Sequence, residues 1–233
     1  MKKTVIVVEG QTEQIFTHKL IEKLVLTLHY HIQLQKLHGG IEIEVGLRGA
    51  PTEHATHHIR IINVEGDDQV NTYIEDRLDA FIKKDFKIIY GLRDRFTRDK
   101  KKPKLNVEAI NDRCKQLEVK HAITLEIIVA IEEIEAWFMS VPEFFTSYSN
   151  SLTLAKINEI LGYDLSTINV ESLSHPSQTI HEILTTVNQT YKKRLDEVHK
   201  IASVLNYDSL YLEKTNSIQP LKKFVGAVEN CLS

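Results

Sequence analysis

Acidic residues stand behind three apolar runs. Residues 3–8 (KTVIVV) lead into Glu9-Gly10-Gln11-Thr12-Glu13, residues 86–92 (FKIIYGL) into Arg93-Asp94-Arg95-Phe96, and residues 123–131 (ITLEIIVAI) into Glu132-Glu133-Ile134-Glu135. Carboxylates gathered at one edge repel one another unless a proton or a cation joins them. Oxygen-only ligands suit Mg²⁺ or Mn²⁺, which keep several waters and bridge to substrate phosphate. The chemistry these spacings point to is metal-assisted attack at a phosphoryl group.

The acids are not equivalent. Glu9 and Asp94 end apolar strands in non-helical positions, which favours a ligand role, whereas Glu13 lies in a first helical turn, where the helix dipole favours an acid anyway. A helix starting near Ile131 places Ile131, Ile134 and Phe138 on one face, with Glu135 at its border. A partly buried Glu135 needs a partner, and a metal or an Arg would serve. Glu133 projects to the other side in that register, so Glu133 and Glu135 meet one ion only if the helix begins later. An ordinary salt bridge accounts for either one equally well.

Beside the acids runs a basic segment. Residues 91–104 (GLRDRFTRDKKKPK) carry seven Lys/Arg against two Asp, while residues 126–143 hold five Glu and no basic residue. An acidic centre with a basic margin is what phosphodiester cleavage requires: carboxylates for the cation, and Arg93, Arg95, Lys100 and Lys101 for backbone phosphates. Lys192 and Lys193, next to Arg194, extend the same track. There is no G-x-x-x-x-G-K-[ST] and only Gly10 after the first strand, so a backbone cradle for a nucleotide is disfavoured. Six of the eleven His fall between His29 and His58, yet none has H-E-x-x-H spacing and no Cys joins them. Cys114 and Cys231 read as small buried hydrophobes.

These residues need a scaffold. The chain has 233 residues, 42% hydrophobic, with 29 basic and 32 acidic side chains for a net charge of −3. That length buries a real core, and no apolar run approaches the eighteen or so residues of a membrane span. The opening MKKTVIVVEG is too short in its apolar part for a signal peptide and reads as the first strand of a cytoplasmic protein. Apolar recurrence at three and four predicts helices over 11–28, from about 70 to 82 and over 106–117, and strand-like runs occupy 3–8, 41–45, 57–64, 86–92 and 123–131. Residues around Gly39-Gly40 read as a loop. The alternation predicts an α/β domain over 1–131 with a mostly parallel central sheet flanked by helices. Beyond it, helical patterns over 132–139, 153–161, 177–187, 190–205 and 218–231 predict a C-terminal helical subdomain, 132–233, with Pro176 at a helix N1 position.

The pattern V-E-G-x-T-E, here Val8 to Glu13, resembles the opening of a TOPRIM domain, the metal-binding Rossmann-like fold of topoisomerases, primases and OLD-family nucleases. More closely, the chain resembles a bacterial TOPRIM-like family of unknown function. In that family V-E-G-x-T-E is followed by an R-D-x-D-like loop, here Arg93 to Phe96, and an E-L-E-A-W motif, here Glu133 to Trp137. Pro176-Ser177 and Tyr191-Lys192-Lys193 resemble that family's C-terminal part. The resemblance implies Glu9 and Asp94 as Mg²⁺ ligands, with Glu9 also handling a proton. It further implies an ABC- or AAA-type ATPase partner in anti-phage defence. Phe96 departs from the pattern, since a phenyl ring in place of the second loop acid cannot bind a cation. Asp99, if the loop folds back, or Glu133 or Glu135 would supply the missing oxygen; if none does, the site is degenerate.

The expectation is therefore a Mg²⁺-dependent (or Mn²⁺-dependent) nuclease acting on DNA or RNA, with catalytic Glu9, Asp94 and Glu135; a homo-oligomer is compatible with it. The alternative is a catalytically degenerate module that docks on an ATPase or on nucleic acid.

Overall fold

Val5, Ile6, Val7 and Val8 are all buried, as an uninterrupted β-branched run requires of a strand covered on both faces. The computed structural model describes residues 1–25, 29–66, 69–95 and 105–233. By internal contacts the chain divides into two units, Met1–Val129 with Gly226–Ser233, and Ala130–Val225.

The first unit follows the order β1 (Lys2–Val8), α1 (Gln11–Leu24), β2 (Tyr30–His38), β3 (Ile41–Gly49), β4 (His57–Asn63), α2 (Gln69–Lys83), β5 (Ile88–Asp94), α3 (Val107–His121) and β6 (Thr124–Ala130). Together the strands form one six-stranded sheet in the order β3-β2-β4-β1-β5-β6. β1 pairs in parallel with β4 on one side and β5 on the other, and β2 pairs in parallel with β4, so the sheet is mostly parallel; only β2 and β3 are shown antiparallel. Chain order reverses direction across the sheet at β1, which makes the carboxyl ends of β1 and β5 a topological switch point, the usual place for a ligand in such a sheet.

Side chains of alternate parity fill the layer under α2 and α3, where Val5, Val7, Ile62, Ile89, Leu125 and Ile127 meet Val70, Ile74, Leu78 and Phe81. α1 packs on β1 and β4 through a different set, including Phe16, Leu20 and Ile21. Its Gln14 amide donates to the Gln35 carbonyl at 2.7 Å and the Ile61 carbonyl at 3.1 Å, fastening the helix to the sheet. Arg60 is buried between Gln35 and Glu42, and Tyr73 donates to the other Glu42 oxygen at 2.5 Å, so β3, β4 and α2 share one satisfied polar network.

The second unit holds α4 (Glu135–Met139), α5 (Leu154–Leu161), α6 (Pro176–Thr185), α7 (Leu195–Val204), α8 (Tyr207–Leu212) and the start of α9 (Gln219–Leu232). Its core is aromatic: Trp137 lies against Phe224, and Phe144 stacks on Phe145 with centroids 4.1 Å apart. Pro176 opens α6, and Thr153 and Asn206 cap α5 and α8 through side-chain acceptors. Among the described residues no helix is long and apolar enough to cross a membrane.

Several elements depart from the sequence expectation. The stretch before Gly39-Gly40, read as loop, is strand β2, which forms a hairpin with β3 through the two glycines at positive φ. Its alternation was masked by Gln, Lys and His, and a register shift at Leu34/Gln35 adds a bulge opposite it. Helix α1 ends at Leu24 rather than 28, with Val25 already extended; Leu28 lies outside the described residues, as does Asp67 before α2. The helix expected over 132–139 begins only at Glu135, after Glu132 in the left-handed region at φ 61°. The helix expected over 190–205 begins at Leu195, because the Glu197 carboxylate takes the Thr190 hydroxyl and the Lys192 and Arg194 amides into a turn. Helix α8 was not anticipated.

Candidate functional site

In the first unit the strand ends position the acids. Glu9 follows β1 directly, and its amide donates to the Leu92 carbonyl of β5 at 3.2 Å. Asp94 is the last residue of β5, and its amide donates to the Glu9 Oε2 at 3.2 Å. Both are nearly buried, at 9% and 7% exposure. Arg93 is buried beside Glu9: its Nε stands 4.0 Å from Glu9 Oε2 and donates a long hydrogen bond, 3.4 Å, to the backbone carbonyl of Asp94. Glu13, in the first turn of α1, is buried too, and its Oε2 lies only 3.0 Å from where a side chain on Gly10 would begin. Glycine at position 10 thus leaves room for this carboxylate to fold back toward the strand end.

The switch point therefore carries Glu9, Arg93 and Asp94 at the ends of β1 and β5, with Glu13 in the first turn of the helix that follows. Among the described residues no three His, Cys, Asp or Glu side chains converge as a ready-made metal cage. A cage is not what Mg²⁺ demands, since one or two carboxylates suffice when water and substrate phosphate complete its shell. Glu9 and Asp94 supply two hard oxygen donors in a largely desolvated position, so the residues fit such a cation by donor type. Arg95 is exposed just beyond the strand. Phe96, Asp99, Lys100 and Lys101 lie outside the described residues.

Glu133 and Glu135 come together with each other in the second unit, around a lysine. Lys193 Nζ donates to Glu133 Oε1 at 3.1 Å and to Glu135 Oε2 at 3.0 Å. Tyr191 Oη donates to Glu135 Oε1 at 2.8 Å, while the Ser177 amide and hydroxyl donate to the two Glu133 oxygens at 2.8 and 2.9 Å. All four carboxylate oxygens thus accept from inside the unit. Glu135 is fully buried and Lys193 is 24% exposed at its side chain. Burial pushes the Glu133 carboxyl up, but the Lys193 charge and the Ser177 hydrogen bonds outweigh it and hold it below the usual carboxylate value.

The late start of α4 is what lets both acids reach one cation, the condition the helical projection set. That cation is Lys193, expected on a phosphate track and here committed to two carboxylates. Three non-glycine residues in the left-handed region, Glu132, His175 and Lys193, lie in or beside the segments that build this network, and such backbone is held only where surrounding contacts over-determine it. Lys192 remains exposed, with its amide given to Glu197. Ser177 and Tyr191 had no assigned role in the sequence reading. Their only signal there was family likeness, because the pairing spans 44 residues for Ser177 and 56 for Tyr191.

Compared with protein families, residues 8–209 match the model described as Domain of unknown function (DUF4276), a span that contains every acid and base discussed above. No curated protein and no solved structure matches the chain.

Proposed function

This chain belongs to the DUF4276 family, and from that premise we propose that its first unit is a TOPRIM-type nuclease that hydrolyses phosphodiester bonds of DNA or RNA with Mg²⁺ or Mn²⁺. The observation that carries the reading is the pair Glu9 and Asp94, two nearly buried carboxylates on adjacent parallel strand ends, joined through the Asp94 amide beside the Arg93 guanidinium. Glu9 and Asp94 would hold the ion, which supplies a water of lowered pKa and charge stabilisation at the phosphoryl oxygens. Arg93 tempers the repulsion between the two acids. Arg95, with Lys100 and Lys101 of the basic segment, would meet the flanking phosphates. In this reading the protein is cytoplasmic and acts in anti-phage defence with an ABC- or AAA-type ATPase.

A second reading has an observation of its own. Phe96 removes the second loop acid, and the oxygens of Glu133 and Glu135 are already satisfied by Lys193, Tyr191 and Ser177. Glu133 and Glu135 are then not available as the third protein ligand, which favours a non-catalytic module docking on an ATPase or nucleic acid. Thermal unfolding separates the two, because a ligand of the native state raises the melting temperature by mass action. Millimolar Mg²⁺ or Mn²⁺ is expected to raise it for the native chain and not for Asp94→Asn. No rise in either protein favours the docking module.

A further inference from the structure

Strand β3 is one edge of the six-stranded sheet and, among the described residues, pairs only with β2. It therefore presents a row of backbone N–H and C=O groups outward, a template on which another strand can pair. Natural edges are guarded by short length, Pro, Lys or a bulge. β3 (IEIEVGLRG) is nine residues long and has neither Pro nor Lys. Its register shift against β2 gives one bulge, yet the extra residue, Val45, is itself an exposed apolar side chain. Ile41, Ile43, Val45 and Leu47 are between 46% and 69% exposed, and they are four of the ten exposed large apolar side chains among the described residues. Exposed apolar groups scattered singly need no explanation, but a cluster on one strand marks an interaction site. The strand is also held in place from behind: Glu42 accepts from Arg60 and Tyr73, and Glu44 accepts from the Gln33 amide at 2.7 Å. A preorganised edge loses little freedom when a partner adds to it.

We propose that β3 pairs antiparallel with β3 of a second copy of this chain, joining the two sheets into one across a two-fold axis. The charge order along the strand selects this occupant. Glu42 and Glu44 stand in its first half and Arg48 in its second. Antiparallel self-pairing brings the acidic half of each strand beside Arg48 of the partner subunit, and the two-fold axis makes that contact twice. A parallel, in-register pair would set like charges against each other, which destabilises a ladder. Ile41, Ile43, Val45 and Leu47 then gain cross-strand neighbours, the unit of sheet stabilisation. A two-fold contact is self-complementary and uses both β3 edges, so it closes at the dimer. β3 lies three strands from β1 in the sheet order, and the inference does not rest on the nuclease reading.

Analytical ultracentrifugation of the full chain over a dilution series reaching about 100 µM tests it, a ceiling that still detects an interface at the weak end of the size range. The expected result is a reversible equilibrium between the 26.8 kDa monomer and a dimer of twice that mass. Val45→Lys and Ile43→Lys each place a lysine guard on the edge and are expected to weaken the dimer by about tenfold or more. Arg48→Glu is expected to weaken it as well, and adding Glu44→Arg to recover part of the loss, because opposite charges again meet across the axis. Hydrogen exchange of the β3 amides is expected to be slower in the dimer than in the dilute monomer. Unchanged near-ultraviolet circular dichroism verifies that the variants are folded. The proposal is overturned by a monomer at every concentration, which would leave the edge to an extended segment of a different protein. Growth beyond the dimer, a dimer that both folded lysine variants leave intact, or no recovery in the charge-swapped double variant would overturn it equally.

Discussion

The backbone amide of Asp94 donates to the carboxylate of Glu9 across the β1–β5 pair, 85 residues apart in sequence. The two acids are therefore positioned by the sheet itself. In Glu9→Gln the side-chain carbonyl still accepts from that amide, and only the charge is lost. In EDTA the variant is expected to stay within about 1 kcal/mol of the native chain by urea unfolding, the worth of weakening one such bond. A loss several times larger would make Glu9 a structural residue.

Lys193 is the counter-ion of two buried carboxylates. Lys193→Met leaves Glu133 and Glu135 without it, and breaking a buried pair on one side costs about 3 kcal/mol or more. Adding Glu135→Gln to Lys193→Met is expected to recover part of that loss, since one uncompensated charge disappears. A double-mutant cycle by chemical denaturation checks this; strict additivity would show that the pair is not coupled.

Acid should weaken the fold in two separate windows. His58, edge-on to His31 and Phe86, is pushed down from 6.5 to about 4, first by burial and then by the neighbouring charges of His31, Arg60 and Lys3. Its Nε2 is buried with no hydrogen-bond partner among the described residues. The unfolded chain binds this proton more readily, so the stability gained by keeping His58 neutral is complete above pH 6.5 and is lost as pH falls toward 4. Glu133 has the carboxylate pattern: its contribution is complete above the ordinary carboxylate value of 4.5 and is lost as pH falls through its lower folded value. Unfolding free energies at pH 7, 6 and 5 are expected to fall more steeply for the native chain than for His58→Phe. Equal slopes would remove His58 from the account.

Gly91, in the middle of β5, has no room for a side chain. A Cβ there would stand 2.9 Å from Val70 Cγ1, 3.0 Å from Ile127 Cγ1 and 3.2 Å from Ile74 Cδ1. Gly91→Ala is expected to cost about 1–3 kcal/mol through overpacking under α2, measured as a lower denaturation midpoint at unchanged slope. A neutral result would mean that α2 shifts to make room.

The central strands were legible because burial on both faces writes itself as a β-branched run, unbroken in Val5 to Val8 and interrupted only by Arg60 in Ile59 to Ile62. β2 was not, because Gln35 and its neighbours serve a polar network with Arg60 and Glu42 instead of an apolar face. The acidic strand ends were also legible, since Glu9 follows an apolar run directly and Asp94 follows one with only Arg93 between. The role of Lys193 was not: its two partners lie 60 and 58 residues earlier, and its left-handed backbone follows from the turn that Glu197 organises. Glu135 could be read as an acid in need of a partner, but the partner's identity is a property of the folded unit alone.

In the function proposed above, Glu9 and Asp94 support metal-dependent phosphodiester hydrolysis. The direct measurement is cleavage of end-labelled single- and double-stranded DNA and RNA by the full chain, together with an ATPase partner if one is identified, in Mg²⁺ or Mn²⁺ and in EDTA. The expected result is cleavage of at least one polymer that EDTA abolishes and that Glu9→Gln and Asp94→Asn each reduce by at least about a hundredfold, the scale of losing a group that stabilises transition-state charge. Cleavage that persists in EDTA, or that is unchanged in both variants, would contradict it.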